Sequence, residues 1–279
     1  MRIRIVVTIV SILLASSAWA QWNVQTVDNS GNTGQKTSIA YDAQGYPHIG
    51  YSDAGGDAYH AFWTGRSWQI ERVSDGQDVW SSPPVGLCID DAGVIHMAYG
   101  VAGRTYNYYH YVSYRTKTDS GWQSAENIAG GYNFYGLMNT AALGVCLDVN
   151  GVPYVSYCDG SSLVCAQKSD STWLTTTVDA AGSVGQYSSI VCDASGHVYI
   201  AYRDEGGTEL KFAYNDGSIW STQIVDMSAD VGDYGVSIKL DGSGNPCIAY
   251  YDKTNGDLKY AKFTGNLAPR AGQPPAELK

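Results

Sequence analysis

The stretch SSIVCDASGHVYIAYRD, residues 188–204, determines the predicted fold of this chain. A short apolar run ends at Asp193, and the Asp-Ala-Ser-Gly segment that starts there predicts a turn. Aspartate accepts hydrogen bonds from the backbone amides that follow it, and Gly196 tolerates a positive φ angle. Apolar side chains then occupy every second position up to Tyr202, which is typical of a half-buried strand. The stretch therefore predicts two antiparallel strands joined by a tight turn.

The same pattern occurs five times along the chain: an aspartate, a glycine three residues later, and a tyrosine nine residues after the aspartate. The three sets are Asp42, Asp90, Asp148, Asp193 and Asp241; Gly45, Gly93, Gly151, Gly196 and Gly244; and Tyr51, Tyr99, Tyr157, Tyr202 and Tyr250. The aspartates lie 48, 58, 45 and 48 residues apart, and further turn signals divide each repeat into four short strands. A repeated four-stranded unit of this length is typical of a propeller blade. We therefore predict an all-β fold, a five-bladed β-propeller with four antiparallel strands per blade.

The two ends of the chain predict how the ring closes. A tryptophan opens the fourth strand of each of the first four repeats: Trp68, Trp122, Trp173 and Trp220. The fifth repeat has no such strand, whereas residues 22–28 match residues 220–226. We expect this N-terminal strand to pair with residues 258–263 and complete the last blade, because closure removes unpaired sheet edges. The alternative is an open array that another chain completes.

Composition divides the chain into three segments. Residues 1–20 combine a basic start, an apolar run and an Ala-Trp-Ala cleavage site. They predict a signal peptide and therefore a secreted, periplasmic or cell-surface protein. Residues 21–265 contain the predicted propeller, and residues 266–279 form a proline-containing tail or linker. No other stretch approaches the roughly 20 apolar residues of a membrane-spanning helix.

The charge of the chain bears on its partners. The formal net charge is −10, with the acidic residues spread through the predicted turns. Nucleic acid is an unfavourable partner because its phosphates are repelled by an acidic surface. A glycan or a cell-surface protein is the expected partner, and the oligomeric state is not readable from the sequence.

Six cysteines in an exported chain permit disulfide bonds. Cys158 and Cys165 flank a short turn, where they could face each other across a hairpin, so they are the predicted pair. Cys88, Cys146 and Cys192 occupy nearly the same point of three repeats, and we expect them to pack as small apolar side chains. The absence of a CxxC pair disfavours a zinc site.

Function is expected where the repeats differ, and the second repeat differs most. It carries two insertions, one between its second and third strands and one between its fourth strand and the next blade. In a blade of up-and-down strands both connections leave from the same side of the ring. The candidate ligand-binding residues on that side are Trp80, Arg104, Tyr106, Tyr108, Tyr109, His110, Tyr132, Asn133, Phe134 and Tyr135. Aromatic rings with polar edges suit a sugar surface, although a lengthened hairpin would also pack some of these tyrosines.

Acidic residues on the same side allow two further interpretations. Three pairs flank predicted turns: Asp53 and Asp57, Asp204 and Glu209, and Asp252 and Asp257. Such carboxylates can hold calcium, but none matches a dense calcium-loop pattern, and hairpin-turn chemistry also explains them. A glycosidase needs two carboxylates about 5–9.5 Å apart, for which Glu205 and Glu209 lie on a suitable loop. No other cofactor and no definite catalytic residue are predicted.

The repeated Ile-x-x-Asp-x-x-Gly and Ile-Ala-Tyr-x-Asp motifs resemble those of secreted bacterial β-propellers of the sialidase-like, BNR-repeat type. With five blades the chain also resembles the tachylectin-type lectins. The resemblance covers about residues 22–265 and implies a propeller fold and a carbohydrate ligand. It does not imply sialidase catalysis. The sialidase Asp-box runs Ser-x-Asp-x-Gly-x-x-Trp, whereas here Ser38 lies four residues before Asp42, and no arginine triad is recognisable.

Three functions are consistent with these features. A carbohydrate-binding module that uses the second-repeat insertions is preferred to an enzyme, because five equivalent positions do not easily form one asymmetric catalytic centre. The alternatives are a protein-interaction scaffold of the cell envelope and a glycoside hydrolase with a channel-facing carboxylate pair.

Overall fold

The computed structural model describes residues 23–74, 83–102, 109–132 and 142–265. These residues form twenty β-strands, grouped into five sheets that follow one another along the chain. They contain no helix that is long and apolar enough to cross a membrane. The predicted all-β, five-bladed propeller is confirmed. The predicted signal peptide and the C-terminal tail lie outside the described residues.

The strands of each blade run antiparallel and pair in chain order. The first blade contains β1 (Thr33–Tyr41), β2 (Pro47–Asp53), β3 (Ala58–Trp63) and β4 (Trp68–Arg72). The second contains β5 (Val85–Ile89), β6 (Ile95–Ala102), β7 (Tyr109–Thr118), β8 (Gly121–Trp122) and β9 (Glu126–Tyr132). The third contains β10 (Gly144–Leu147), β11 (Pro153–Cys158), β12 (Leu163–Ser169) and β13 (Thr172–Asp179). The fourth contains β14 (Val184–Cys192), β15 (Val198–Asp204), β16 (Glu209–Asn215) and β17 (Trp220–Asp226), and the fifth contains β18 (Val231–Leu240), β19 (Pro246–Asp252) and β20 (Asp257–Lys262).

Two blades differ from the regular four-strand order. In the second blade the outer strand is split, because β8 and β9 both pair with β7. In the fifth blade the described residues supply three strands.

The repeated aspartate makes the turn between the first and second strands of a blade. Asp193 accepts backbone N–H groups from Ser195 at 2.8 Å and from His197 at 2.9 Å through Oδ1. The Gly196 amide donates to the Asp193 carbonyl at 3.1 Å, and Gly196 has a φ of 83°. We call the side of the ring that carries these turns the turn side and the opposite side the loop side.

The hydrophobic core lies between consecutive blades. Leu210 of the fourth blade, for example, packs in one cluster with Val231, Ile238 and Ile248 of the fifth blade. Each strand therefore alternates between a face toward one neighbouring blade and a face toward the other, and a blade cannot bury its apolar residues by itself.

The disulfide bond joins two blades, which corrects the predicted pairing. Cys146 of β10 and Cys192 of β14 are bonded, with their Cα atoms 6.1 Å apart. Cys158 and Cys165 are buried free thiols. They do not face each other across the hairpin, because Cys158 lies opposite Leu163 in the ladder. The expectation that Cys146 and Cys192 only fill space is also wrong, since the first strands of adjacent blades bring the two sulfurs together.

The N-terminal segment does not pair with the last blade as the sequence predicted. Residues 23–28 are not a strand, and β20 pairs with β19 alone among the described strands. The predicted ladder with residues 258–263 is therefore not formed. The segment nevertheless contacts the first blade, because Trp68 Nε1 donates to Gln25 Oε1 at 2.9 Å and the Tyr51 hydroxyl donates to Asp28 at 2.6 Å. Equivalent contacts join the outer strands of other blades to the blades that follow them.

The first and last blades carry the exposed ends of the blade series. At the central position of the first strand, Ile238 is buried against the preceding blade, whereas Ile39 is 58% exposed. On the third strand, Leu210 is buried beneath the following blade, whereas Leu258 is 84% exposed. The outward faces of β1 and β20 are therefore exposed, whereas the equivalent faces are buried where two consecutive blades pack against each other.

Candidate functional site

The predicted ligand-binding residues lie largely beyond the described strands. Those outside the described residues are Trp80, Arg104, Tyr106, Tyr108, Asn133, Phe134 and Tyr135. Tyr109 and His110 begin β7, and Tyr132 ends β9. In the ladder between these strands Tyr109 lies opposite Tyr132, and His110 lies opposite Gly131. The two insertions of the second repeat therefore leave the sheet from paired positions on the loop side, as the sequence predicted.

The acid pairs on the loop side take part in turns. Asp53 Oδ1 accepts the Asp57 amide at 2.8 Å, and Asp57 accepts Arg72 at 2.5 Å. Asp204 accepts the Gly207 amide at 2.9 Å. In the part of the chain that the structure describes, no group of three or more His, Cys, Asp or Glu side chains is placed to hold a metal ion. Calcium binding stays a prediction.

A cluster of charged residues on the loop side joins the fourth and fifth blades. Arg203, which is buried, donates to Glu205 at 2.6 Å, to Asp230 at 2.6 Å and to the Val231 carbonyl at 2.8 Å. Burial alone would lower the pKa of Arg203, but its two carboxylate partners raise it above its ordinary value. The equivalent positions on the other second strands are occupied by Ser52, Gly100, Cys158 and Tyr251. Only the fourth repeat therefore places a cation here.

Lysine extends this cluster toward the fifth blade. Lys253 Nζ lies 2.8 Å from Asp233 and 3.5 Å from Asp230. Burial would raise the pKa of Asp233, but the hydrogen bonds from Lys253 and from the Tyr234 amide outweigh it and the pKa is lowered. Asp233 is thus held ionised, which suits an ion pair within the fifth blade better than a general acid that must donate a proton. Glu205, the acid considered for glycosidase chemistry, is held by Arg203 in the same cluster.

The histidines support the turns and the sheets. His197 Nδ1 lies 2.9 Å from its turn aspartate, Asp193, and His96 contacts both Asp90 and the Tyr114 hydroxyl. His48 Nδ1 and His60 Nε2 are 3.0 Å apart across the first blade. Burial, with the nearby His48 and Lys117 adding to it, lowers the pKa of His60 to about 4. These contacts give His48, His60, His96 and His197 structural roles within their blades.

A contact at the outer rim of the blades was not foreseen from the sequence. Glu71 on the outer strand of the first blade accepts Lys117 Nζ at 2.7 Å and Trp122 Nε1 at 2.9 Å from the second blade. Glu126 on the second blade accepts Lys168 and Trp173 of the third blade in the same way. We call this arrangement the Lys–Glu–Trp rim contact. Its signal in the sequence is a lysine five residues before the tryptophan that opens an outer strand.

Comparison with known proteins identifies the fold. Neither a protein-family profile nor a curated protein sequence matches the chain. A protein of unknown function from Dyadobacter fermentans superimposes with a TM-score of 0.58 at 13% identity, over 83% of this chain and 78% of that one. The Aleuria aurantia lectin, solved in complex with Fucα1-6GlcNAc, gives a TM-score of 0.57 at 13% identity, over 84% and 76% of the two chains.

An enzyme shares the same architecture. The leech intramolecular trans-sialidase superimposes with a TM-score of 0.55 at 11% identity, and the match covers 82% of this chain but 58% of that enzyme. At these identities the likeness shows the fold alone. The chain is therefore a β-propeller of the kind found in sialidases and lectins, and its activity must be argued from its own residues.

Proposed function

We propose that this protein is an exported carbohydrate-binding propeller, and that the two insertions of the second repeat form its glycan site. The observation that carries the proposal is the pairing of Tyr109 with Tyr132, from which both insertions depart. The strand ends that flank residues 103–108 and 133–141 therefore lie side by side on the loop side, although they are separated along the chain.

The composition of the insertions supports a saccharide ligand. They contain four tyrosines or phenylalanines, Tyr106, Tyr108, Phe134 and Tyr135, together with Arg104, Asn107 and Asn133. Aromatic faces contact the C–H groups of a sugar ring, while hydroxyl, amide and guanidinium groups hydrogen-bond its hydroxyls. The likeness of the fold to a lectin solved with a disaccharide supports the same class of ligand.

Binding to an array of neutral and acidic glycans tests this proposal. We expect the mature protein to bind a subset of the glycans, and Tyr108→Ala and Tyr135→Ala each to weaken that binding about tenfold, which corresponds to roughly 1.4 kcal/mol. Tyr41→Ala, which removes an exposed tyrosine from the first blade, is the matched control and should bind as the wild type does. Absence of binding to every glycan, or equal binding by all three variants, would contradict the proposal.

A further inference from the structure

At the first blade, the position equivalent to the Lys–Glu–Trp rim contact contains no charged side chain. Trp63 lies opposite Trp68 in the ladder of the first blade, as Lys117 lies opposite Trp122 and Lys168 opposite Trp173 in the next two. Gln25 accepts the indole N–H of Trp68 at 2.9 Å, in the place that Glu71 takes for Trp122. Tryptophan thus replaces the lysine, and glutamine replaces the glutamate. The Lys–Glu ion pair that fills the rim between the first and second blades and between the second and third blades is absent here.

The replacement leaves a groove at the rim, toward the turn side of the first blade. Six residues line it: Asn23, Gln25, Val27, Pro47, Trp63 and Trp68. The Trp63 and Trp68 rings meet edge to face, with centroids 5.6 Å apart and planes at 63°. Both rings are half-buried, and Asn23 and Gln25 are exposed. The groove is therefore accessible, and its aromatic wall is held by the packing of one indole against the other.

The chemistry of the lining selects one class of ligand. None of the six lining side chains is ionisable, so the groove offers neither a cation for a carboxylate or phosphate nor an anion for an amine. Indole faces suit the C–H face of a pyranose ring. The carboxamide of Gln25 uses its oxygen on Trp68, which leaves its NH₂ group as a donor, and Asn23 adds a donor and an acceptor for sugar hydroxyls.

We propose that this groove is a saccharide site for a neutral pyranose, separate from the site formed by the second-repeat insertions. The groove is on the turn side, whereas the insertions depart from the loop side. It shares the ligand class of the proposed function but does not need the insertions. The rim sites of the second and third blades are closed to such a ligand because Lys117 and Lys168 occupy them with their glutamate partners.

The internal repeats supply a matched variant for the test. Trp63→Lys combined with Gln25→Glu rebuilds the Lys–Glu–Trp rim contact of the next two blades. It should fold with an unfolding midpoint at or above that of the wild type, because the same contact is already accommodated twice in this fold. Trp63→Ala instead removes the aromatic wall without adding charge.

Saturation-transfer NMR with methyl glycosides of glucose, galactose, mannose and N-acetylglucosamine provides the readout, with glucuronic acid as the charged probe. We expect the wild type to bind at least one neutral glycoside. In the Tyr108→Ala background, where the insertion site contributes little, Trp63→Ala should weaken that binding at least about tenfold, and the charge-restoring double variant should abolish it. Glucuronic acid should give no signal that depends on Trp63.

The outcomes separate the two sites. In the Tyr108→Ala background, equal binding with and without the charge-restoring substitutions would overturn this proposal, whatever the array shows for Tyr108→Ala. Loss of neutral-glycoside binding in Tyr108→Ala alone would overturn it as well, while supporting the insertion site. Loss in the Trp63 variants alone, with an array unaffected by Tyr108→Ala and Tyr135→Ala, would support the groove and contradict the proposed function.

Discussion

An aspartate at the end of an outer strand, or of the N-terminal segment in the case of Asp28, accepts a hydrogen bond from a tyrosine on the second strand of the adjacent blade. The pairs are Asp28 with Tyr51, Asp179 with Tyr202, and Asp226 with Tyr250, at 2.6, 2.7 and 2.8 Å. In two of the pairs a lysine adds a charged contact, Lys211 at 2.5 Å from Asp179 and Lys259 at 2.5 Å from Asp226. The repeated tyrosine is thus explained by a hydrogen bond between blades as well as by packing.

The buried aspartate of this contact predicts a loss of stability on substitution. Asp179, Tyr202 and Lys211 are all buried. We expect Asp179→Asn to lower the free energy of unfolding at pH 7 by about 1.5–3 kcal/mol, the range for hydrogen bonds to charged groups. Urea unfolding measures this, and Asp119→Asn, in an exposed turn, is the control that should stay near the wild type.

The same contact predicts a dependence on pH. Burial would raise the pKa of Asp179, but hydrogen bonds from Lys211 and Tyr202 outweigh it and hold the pKa below its ordinary value of 3.8. A lowered folded-state pKa stabilises the protein above the unfolded pKa, and this contribution is lost as the pH falls through the folded value. The difference between wild type and Asp179→Asn should therefore be largest at pH 7 and shrink below about pH 3.8. A difference that stayed constant down to pH 2 would contradict this assignment.

At the scale of the strands, the first strand of each blade holds neighbouring blades together. β10 and β14 are adjacent first strands, and the Cys146–Cys192 disulfide joins them across 46 residues of sequence. Four cysteines remain free in the described chain: Cys88, Cys158, Cys165 and Cys247. A covalent link between the third and fourth blades limits how far these two sheets can separate in the unfolded chain.

Thiol titration tests the disulfide directly. Protein unfolded without a reductant should show four reactive thiols, and reduced protein should show six. We expect Cys192→Ser to lower the free energy of unfolding by about 2–4 kcal/mol, as is typical when a disulfide is removed. Cys247→Ser, which removes a free thiol, should have a much smaller effect. Six reactive thiols before reduction would contradict the pairing.

At the scale of the whole molecule, burial depends on position in the series of blades. Leu210 and Leu258 occupy the same position of the third strand in adjacent repeats. Leu210 is buried between the fourth and fifth blades, whereas Leu258 is exposed at the end of the series. Leucine at the same position of two repeats therefore contributes differently to the free energy of unfolding.

This difference predicts unequal effects of one substitution. Leu210→Ala should cost about 2–5 kcal/mol of unfolding free energy, because it creates a cavity in the core between blades. Leu258→Ala should change the stability by less than about 0.5 kcal/mol, as exposed substitutions usually do. Urea unfolding of the two variants compares them in one protein. Equal losses would mean that the outward face of β20 is covered in solution, by the first blade or by another chain.

Local features of the sequence were sufficient to predict much of the fold. The turn at Asp193 forms within a few residues, so its hydrogen bonds follow from residue type alone. The neighbourhood of Tyr109 and Tyr132 followed from the up-and-down order of strands, and the structure confirms it at the level of the backbone. The pairing of Cys146 with Cys192 did not follow, because bond formation depends on the distance between two strands of different blades.

The sequence by itself determined the repeat, the turns and the five-blade class, since each depends on spacing and on short-range hydrogen bonding. Only the tertiary structure decided what each repeated position touches. Nothing in the sequence singles out Gln25 and Trp63. The structure shows that both contact Trp68, at the positions that a glutamate and a lysine occupy in the rim contacts of the next two blades. Contacts between blades join residues that are far apart in the sequence. A repeat pattern therefore predicts which side chains face the adjacent blade, but not which side chains of that blade they contact.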